Sequence, residues 1–291
     1  MRSDLLKNAV RATVPRPLRN WLRSPRVSAE WIWDSVRFSL GSNRTLQLPG
    51  NWSVSCHPHV YKVFRRAQIA DPEQSEEFRN FLSHCSDRMF LFDIGAHFGI
   101  FSLAAAHFGG KAIAVDPSPT ATRMIARQAA LNQCTGRVRI LQASVSNQDG
   151  AMDMVNAGVL SEGYFQVIQG RSKSELTRTA AVTIDHMTRE FGPPTHVKVD
   201  VEGHEMAVLL GARATLTRFS PVLFLELHNE IVLAQGNDPT LPLDELARSG
   251  YGLFALNGRE LSKSAILERP IARIVARRTL GSSLQGEVVS D

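Results

Sequence analysis

Cysteine is scarce: three residues in 291, Cys56, Cys85 and Cys134, with no C-x-x-C pair and no zinc spacing. That excludes a disulfide scaffold and a zinc knuckle, and it points to a reducing compartment where the thiols serve as small core residues. Long apolar runs are missing too. No charge-free stretch reaches the ~18 residues of a spanning helix, and Lys7 and Arg11 interrupt any secretory leader core, so a cytoplasmic protein is expected. There is no low-complexity segment and no internal repeat, which excludes solenoids and fibrous classes. What remains, with 43% apolar and 21% charged residues, is a chain suited to one sizeable globular domain with an appendage.

The net charge is +5, but its location matters more than its size. Residues 1–26 hold Arg2, Lys7, Arg11, Arg16, Arg19, Arg23 and Arg26 against Asp4 alone, so the rest of the chain is nearly neutral. A basic groove for nucleic acid through the body is thereby excluded. Within the arm, Leu6, Val10 and Val14 fall at helical spacing until Pro15 and Pro17 stop the pattern. The simplest reading is a solvated arm; the alternative is weak peripheral contact with an anionic membrane surface.

Residues 44–56 alternate weakly and predict a hairpin around Pro49-Gly50, and Asp71-Pro72 opens a helix reaching about Cys85. Regular β/α alternation follows. Apolar runs at 89–94, 112–115, 138–141, 197–201 and 222–227 are separated by helical stretches, one opened by Ser118-Pro119 and one closed by Gly109-Gly110. Runs buried on both faces and divided by helices predict a parallel sheet in an α/β fold. Runs at 251–256 and 271–276, with Asn257-Gly258 between them, predict two antiparallel strands closing it. The expected division is an arm over 1–26, a lead-in over 27–87, a core domain over 88–280 and a tail over 281–291.

Phe90-Leu-Phe-Asp-Ile-Gly-Ala-His-Phe-Gly99 is a strand entering a tight glycine turn that opens a helix, where doubly wound folds bind nucleotides. A dinucleotide fingerprint needs a second glycine at the position of His97, so NAD and FAD are disfavoured. An adenosine ligand without a pyrophosphate has no such requirement, and S-adenosylmethionine is the common one. The second strand ends in Asp116, 21 residues after Gly95, where a carboxylate can accept two hydrogen bonds from a ribose diol.

Polar residues also stand where a buried strand should have none. Lys198, Asp200 and Glu202 alternate onto one face of the run at 197–203, and Glu226 and His228 share a face of the next. Such charges are costly unless paired or employed, and they sit at the carboxyl ends of strands, where α/β folds place ligands.

In these motifs the sequence resembles the FkbM-type S-adenosylmethionine-dependent methyltransferases. The resemblance rests on Phe92-Asp-Ile-Gly-Ala-His-Phe-Gly99, Val115-Asp-Pro-Ser-Pro119, Thr183-Ile-Asp185, Lys198-Val-Asp-Val-Glu-Gly-His-Glu205 and Leu225-Glu-Leu-His228. It covers about residues 88–260. It implies a Rossmann-like class I methyltransferase fold with a mostly parallel seven-stranded sheet. It also implies methyl transfer to a hydroxyl on a sugar, polyketide or glycolipid-type acceptor. Carried over by position, Asp93, Gly95 and Gly99 line the methionine end of the cofactor, Asp116 holds its ribose, and Ala96, His97, Pro117 and Ser144 complete the set. The family more often has Asn at His97 and Glu at Asp116; the second difference keeps the carboxylate.

An alcohol holds its proton, so transfer needs a base at the acceptor oxygen and an in-line approach. His228 or Asp200 is expected as that base, Glu202 and Glu226 as orienting groups and Lys198 as the balancing charge. The competing structural reading is an ion pair of Lys198 with Glu202 or Glu226 that merely fixes strand order. No ligand spacing demands a metal, and none is expected, although Asp200, Glu226 and His228 are the set that could hold one. Rival functions are a noncatalytic adenosine-binding scaffold, an NAD-dependent oxidoreductase and a nucleic-acid methyltransferase; the charged strand ends, His97 and the near-neutral body count against them in turn. Asp185 is expected to cap the helix after Thr183, Asn132 to end the helix after the ribose strand, and the 156–178 loop with the lead-in to build the acceptor pocket. The oligomeric state is not legible.

Overall fold

Five strands, β3 (Phe90–Ile94), β4 (Lys111–Val115), β5 (Val138–Leu141), β10 (His196–Val199) and β11 (Val222–Leu227), run parallel at the centre of the molecule. In β3, β4, β10 and β11 nearly all side chains are buried, on both faces, as the near-continuous apolar runs require, whereas β5 at the edge is only partly covered. The computed structural model describes residues 29–49, 52–156, 165–166 and 176–279; the basic arm over 1–26 and the tail over 281–291 lie outside the described residues. With β12 (Tyr251–Phe254) and β13 (Ala272–Arg278) the sheet has seven strands in the order β12-β13-β11-β10-β3-β4-β5. The expected mostly parallel seven-stranded α/β sheet is therefore present.

The closing strands differ in one respect from expectation. β12 and β13 are antiparallel to each other, but β13 lies between β11 and β12 and is antiparallel to both. Asn257-Gly258 turns the chain back only to a bridge between Phe254 and Glu260, and a short helix over Lys263–Leu267 intervenes before β13. The reason is reach: a tight turn would pair the two strands along its own axis, whereas the intervening residues let β13 enter the slot beside β11.

Strand order reverses between β3 and β10: β4 and β5 continue on one side, β11 on the other. The carboxyl ends of these two neighbours form the crevice where such sheets bind ligands. Gly95 makes that crevice possible. Its φ is +77°, and a Cβ there would stand 1.8 Å from the carbonyl oxygen of Asp200, so no side chain fits.

The helices follow their predicted signals. Asp71 accepts from Gln74 N–H to open α3 (Pro72–His84), and Ser118 accepts from Ala121 N–H to open α5 (Pro119–Leu131). The run at 197–203 leaves the strand after Val199, and Glu202 (φ 53°) and Gly203 (φ +91°) reverse the chain into α7 (Glu205–Leu210). Thr183 caps α6 (Ile184–Phe191). Asp185, expected to cap that helix, instead accepts from Ala214 and Thr215 N–H and so caps α8 (Arg213–Phe219), because its side chain points across to the neighbouring helix start. The 156–178 stretch is not all loop: β7 (Gly150–Asn156), β8 (Phe165–Gln166) and β9 (Leu176–Val182) pair in a four-stranded sheet with β6 (Ser144–Val145).

The lead-in shares the core of the sheet. The hairpin β1 (Arg44–Leu48) and β2 (Trp52–Cys56) has the register Leu46 opposite Val54, and Asn132 at the end of α5 holds it by accepting from Ser55 N–H and donating to Ser55 O, both at 2.8 Å. From α3, Phe78 and Phe81 meet Phe101 of α4 (Ile100–His107) edge-on at 5.3 and 4.9 Å, and Phe81 meets Phe224 of β11 at 5.3 Å. These aromatic contacts add specific geometry to ordinary burial. Cys56 and Cys134 are buried, and burial pushes the Cys56 thiol up to about 12, so it behaves as a small core residue.

Candidate functional site

Two clefts meet at the carboxyl ends of β3 and β10. The first, of about 630 Å³, is lined by Gly95, His97, Asp116, Pro117, Ser144 and Asp200 together with Ile94, Val115, Met154, Glu202 and His204. The second, of about 700 Å³, is lined by Leu48, Phe64, Gln74, Phe78, Phe101 and Lys198, with Asp93, Ala96, His97 and Asp200 on the shared side. Gly95, His97 and Asp200 belong to both walls and so mark the passage between them.

The first cleft gathers most of the expected cofactor residues. The Asp116 carboxylate accepts Ser118 N–H on Oδ1 (2.8 Å) and His97 N–H on Oδ2 (2.9 Å), which aims it into the cleft with lone pairs left for a diol. Burial raises its pKa to about 7 against those two hydrogen bonds. His97 holds a left-handed backbone (φ 48°) and stacks on Phe98 at 3.6 Å. Its buried Nε2 makes no hydrogen bond, and burial lowers the ring to about 3, leaving it neutral. An orphaned buried ring nitrogen at a passage between clefts is a group that lacks a ligand partner.

Two of the expected residues do other work. Asp93 faces the second cleft, and its Oδ2 accepts from Ser102 N–H (3.1 Å) and Ser102 Oγ (2.6 Å), tying β3 to the first turns of α4. Gly99 lines neither cleft; it stands at the start of α4 with φ +71°, and a Cβ there would meet Ile125 at 2.9 Å. His204, given no role from the sequence, lines the first cleft and bonds Ser146 Oγ at 3.1 Å.

Behind the passage lies a buried charge network. Lys198 is 2% exposed; its Nζ is 2.9 Å from Glu77 Oε1, 3.7 Å from Glu226 and 4.0 Å from Asp200. The expected pairing with Glu226 is thus secondary to one with Glu77, and Glu202 instead faces His228 at 3.5 Å. Burial opposes the Lys198 charge, but Glu77, Asp200 and Glu226 outweigh it and raise its pKa. Arg273 grips Glu226 with two hydrogen bonds, at 3.1 and 2.8 Å, and reaches Asp71 at 2.9 Å. Glu77 has no signature in sequence beyond an amphipathic helix. Arg273 does have one, a charge inside the apolar run at 271–276, the same signal that singled out Glu226.

His228 is 3% exposed, and its Nδ1 shares a 2.9 Å hydrogen bond with Glu205 Oε1, which also accepts Gly203 N–H at 3.0 Å. Burial pulls the imidazole down, yet that bond and the charges of Asp200 and Glu202 hold it up at about 9, so it is an imidazolium at neutral pH. Asp200 is one-third exposed at the passage, with Oδ1 3.8 Å from His228 Nε2. Burial and the Glu226 charge lift its carboxyl to about 8, against the pull of Lys198 and His228. Single ligand atoms of Asp200, Glu226 and His228 lie within 4.8 Å of one another, the group among the described residues that could hold a metal ion. Arg273 and Lys198 already stand against the Glu226 carboxylate, which weakens it as a ligand.

The methyltransferase FkbM domain family matches residues 93–251. Methyltransferase sdnD of Sordaria araneosa is 28% identical over 169 residues, 45% of this chain and 65% of that protein, so the chain spans just under two thirds of this relative. The ribosomal protein L11 methyltransferase of Pelotomaculum thermopropionicum is 32% identical over 74 residues, 25% of this chain and 24% of that one. Among solved structures, the FkbM methyltransferase from Methylobacillus flagellatus is 16% identical at a TM-score of 0.46, covering 69% of this chain and 46% of that one. The family match extends over more than half of the residues and spans the glycine turn, Asp116 and the charged strand ends: the chain belongs to the FkbM methyltransferase family.

Proposed function

We propose that the protein transfers a methyl group from S-adenosylmethionine to a hydroxyl, with Asp200 as the base that takes the hydroxyl proton. The observation that carries this reading is the position of Asp200, the carboxylate at the passage between the two clefts, with a pKa raised towards the working range. S-adenosylmethionine supplies the electrophilic methyl when bound. The residues of the first cleft fit its nucleoside: Asp116 offers carboxylate oxygens to the ribose diol, and Ile94, Val115 and Met154 offer apolar walls.

The second cleft suits the acceptor. Phe64, Phe78, Phe98 and Phe101 give it aromatic faces, and Gln74 and Ser75 give it hydrogen-bonding groups, a combination that fits a sugar, polyketide or glycolipid-type alcohol. An acceptor hydroxyl reaching the passage meets Asp200 Oδ, which removes the proton as the oxygen attacks. The His228 imidazolium, held by Glu205, and Lys198 stabilise the carboxylate until it receives that proton. His228 itself, charged at neutral pH and already bonded at Nδ1, is the poorer base; its role is positional, as are those of Glu202 and Glu226.

Two outcomes test the arrangement directly. The ionised form of Asp200 is required, so kcat rises with pH through about 8; the His228 imidazolium is required, so it falls again above about 9. A rate that declines steadily from pH 6 to 9 contradicts the assignment. Exhaustive chelation with EDTA leaves the rate unchanged, whereas a loss restored by a divalent ion would move Asp200, Glu226 and His228 to metal ligands. The activity is read as label passing from methyl-labelled S-adenosylmethionine to a panel of sugar and polyketide alcohols, with a new methoxy carbon identified by NMR.

The ribose assignment has its own readout. Asp116→Ala weakens S-adenosylmethionine binding about 10- to 100-fold in calorimetry, the loss of hydrogen bonds to a charged group. Asp116→Glu, which keeps the carboxylate, retains most of the affinity. Equal affinity in the Ala variant would remove Asp116 from the site.

A further inference from the structure

The charge of this chain is divided more sharply than its total suggests. Residues 1–66 hold twelve Lys and Arg against three acids, while residues 67–291 have a net charge of −4. The described part of that basic segment includes α1 (Ala29–Ser39), whose outward side is apolar: Trp33 is 67% exposed, Val36 44% and Leu40, in the turn that follows, 82%. Positions 33, 36 and 40 lie along one stripe of a helix. Its inward side is anchored, with Phe38 buried against His57 and buried Asp34 paired with Lys62 at 2.9 Å. Asp34 therefore points away from the stripe, whereas exposed Arg37, four residues after Trp33 and three before Leu40, lies beside it.

We infer that this stripe docks on an anionic lipid surface. An exposed tryptophan with aliphatic neighbours and an exposed arginine beside it, in a segment with twelve basic residues against three acids, is the arrangement of an interfacial helix; each basic residue near such a surface adds attraction, and the apolar side chains enter the headgroup boundary. A nucleic-acid partner would use the arginines but leave Trp33, Val36 and Leu40 in water. A second copy of the chain would place like charges face to face. The docking has a consequence for the site, because the same segment builds the wall of the second cleft. Phe64 lies on α2 (Pro58–Ala70), which packs on α1 through Lys62, and Leu48 and Pro49 end β1. Docking thus brings the aromatic cleft next to the lipid surface. It does not depend on the methyl-transfer reading.

The test is cosedimentation of the full chain with vesicles of phosphatidylcholine alone and of phosphatidylcholine mixed with phosphatidylglycerol. The wild-type protein binds the mixed vesicles, and added salt weakens that binding. The triple variant Trp33→Ser, Val36→Ser, Leu40→Ser and the charge variant Arg37→Glu, Arg44→Glu each lose about tenfold or more of it, with melting temperatures unchanged because all five side chains are exposed. If the triple variant melts early, the charge variant alone decides. Equal binding to both vesicle types overturns the inference, as does undiminished binding by either folded variant. So does an absence of vesicle binding combined with a dimer by light scattering that the triple variant abolishes. Retention of a tRNA complex that excludes vesicles would reassign the patch to nucleic acid.

Discussion

Asp200→Asn lowers kcat for methyl transfer about 10²- to 10⁴-fold, the span that loss of a positioned general base produces, and leaves S-adenosylmethionine binding within a few fold. The split follows from position. Asp200 contributes its carbonyl and backbone to the packing of Gly95, which the amide preserves, and its carboxylate to the passage, which the amide neutralises. The rise of kcat through about pH 8 should disappear in the same variant, a change that a merely structural aspartate would not produce. Turnover within threefold of the wild type, with its pH profile intact, would remove Asp200 from the chemistry and return the base role to His228.

Lys198→Met produces the largest loss of stability. Lys198 and Glu77 are each 2% exposed, and removing the ammonium leaves Glu77 buried with only Arg273, 3.7 Å away, to answer its charge. Breaking one side of a buried pair costs about 3–5 kcal/mol, which for a domain of this size corresponds to a melting temperature lower by roughly 6–20 °C. Glu77→Gln in the Lys198→Met background should recover much of that, because the uncompensated carboxylate is gone. Additive losses in the double variant would mean that the pair does not interact. The network also links a lead-in helix, α3, to the central strand β10, so its disruption should loosen the wall of the second cleft along with the sheet.

Periodicity made the sheet legible. Each central strand was visible because burial on both faces demands an apolar run, and each helix start because orphaned N–H groups demand a cap, as at Asp71 and Ser118. Glycine turn chemistry made the first cleft legible: Gly95 and Asp116, paired by their spacing in sequence, both line it. Asp93 and Gly99 show the limit of that reading. Motif position says that a residue is near a turn, whereas the direction of its side chain decides whether it meets a ligand or a neighbour, Ser102 for one and Ile125 for the other. Asp185 failed for the same reason, since a carboxylate at a helix start can cap a different helix that packs against it.

By itself the sequence determined the class of fold, the glycine turn at the carboxyl end of its first central strand and the need to account for charges at Lys198, Asp200, Glu202, Glu226 and His228. Those are local properties, written in periods of two and 3.6 residues and in residues too polar for their surroundings. Only the tertiary structure decided which of those charges meet. Glu77, Arg273 and Glu205 come from a helix before the sheet, its last strand and the start of α7, and they converge through packing that no short-range pattern encodes. That convergence makes His228 a cation, gives Lys198 a different partner from the one expected and leaves Asp200 as the carboxylate at the passage, because protonation in a buried cluster depends on every charge within a few ångströms and not on neighbours along the chain.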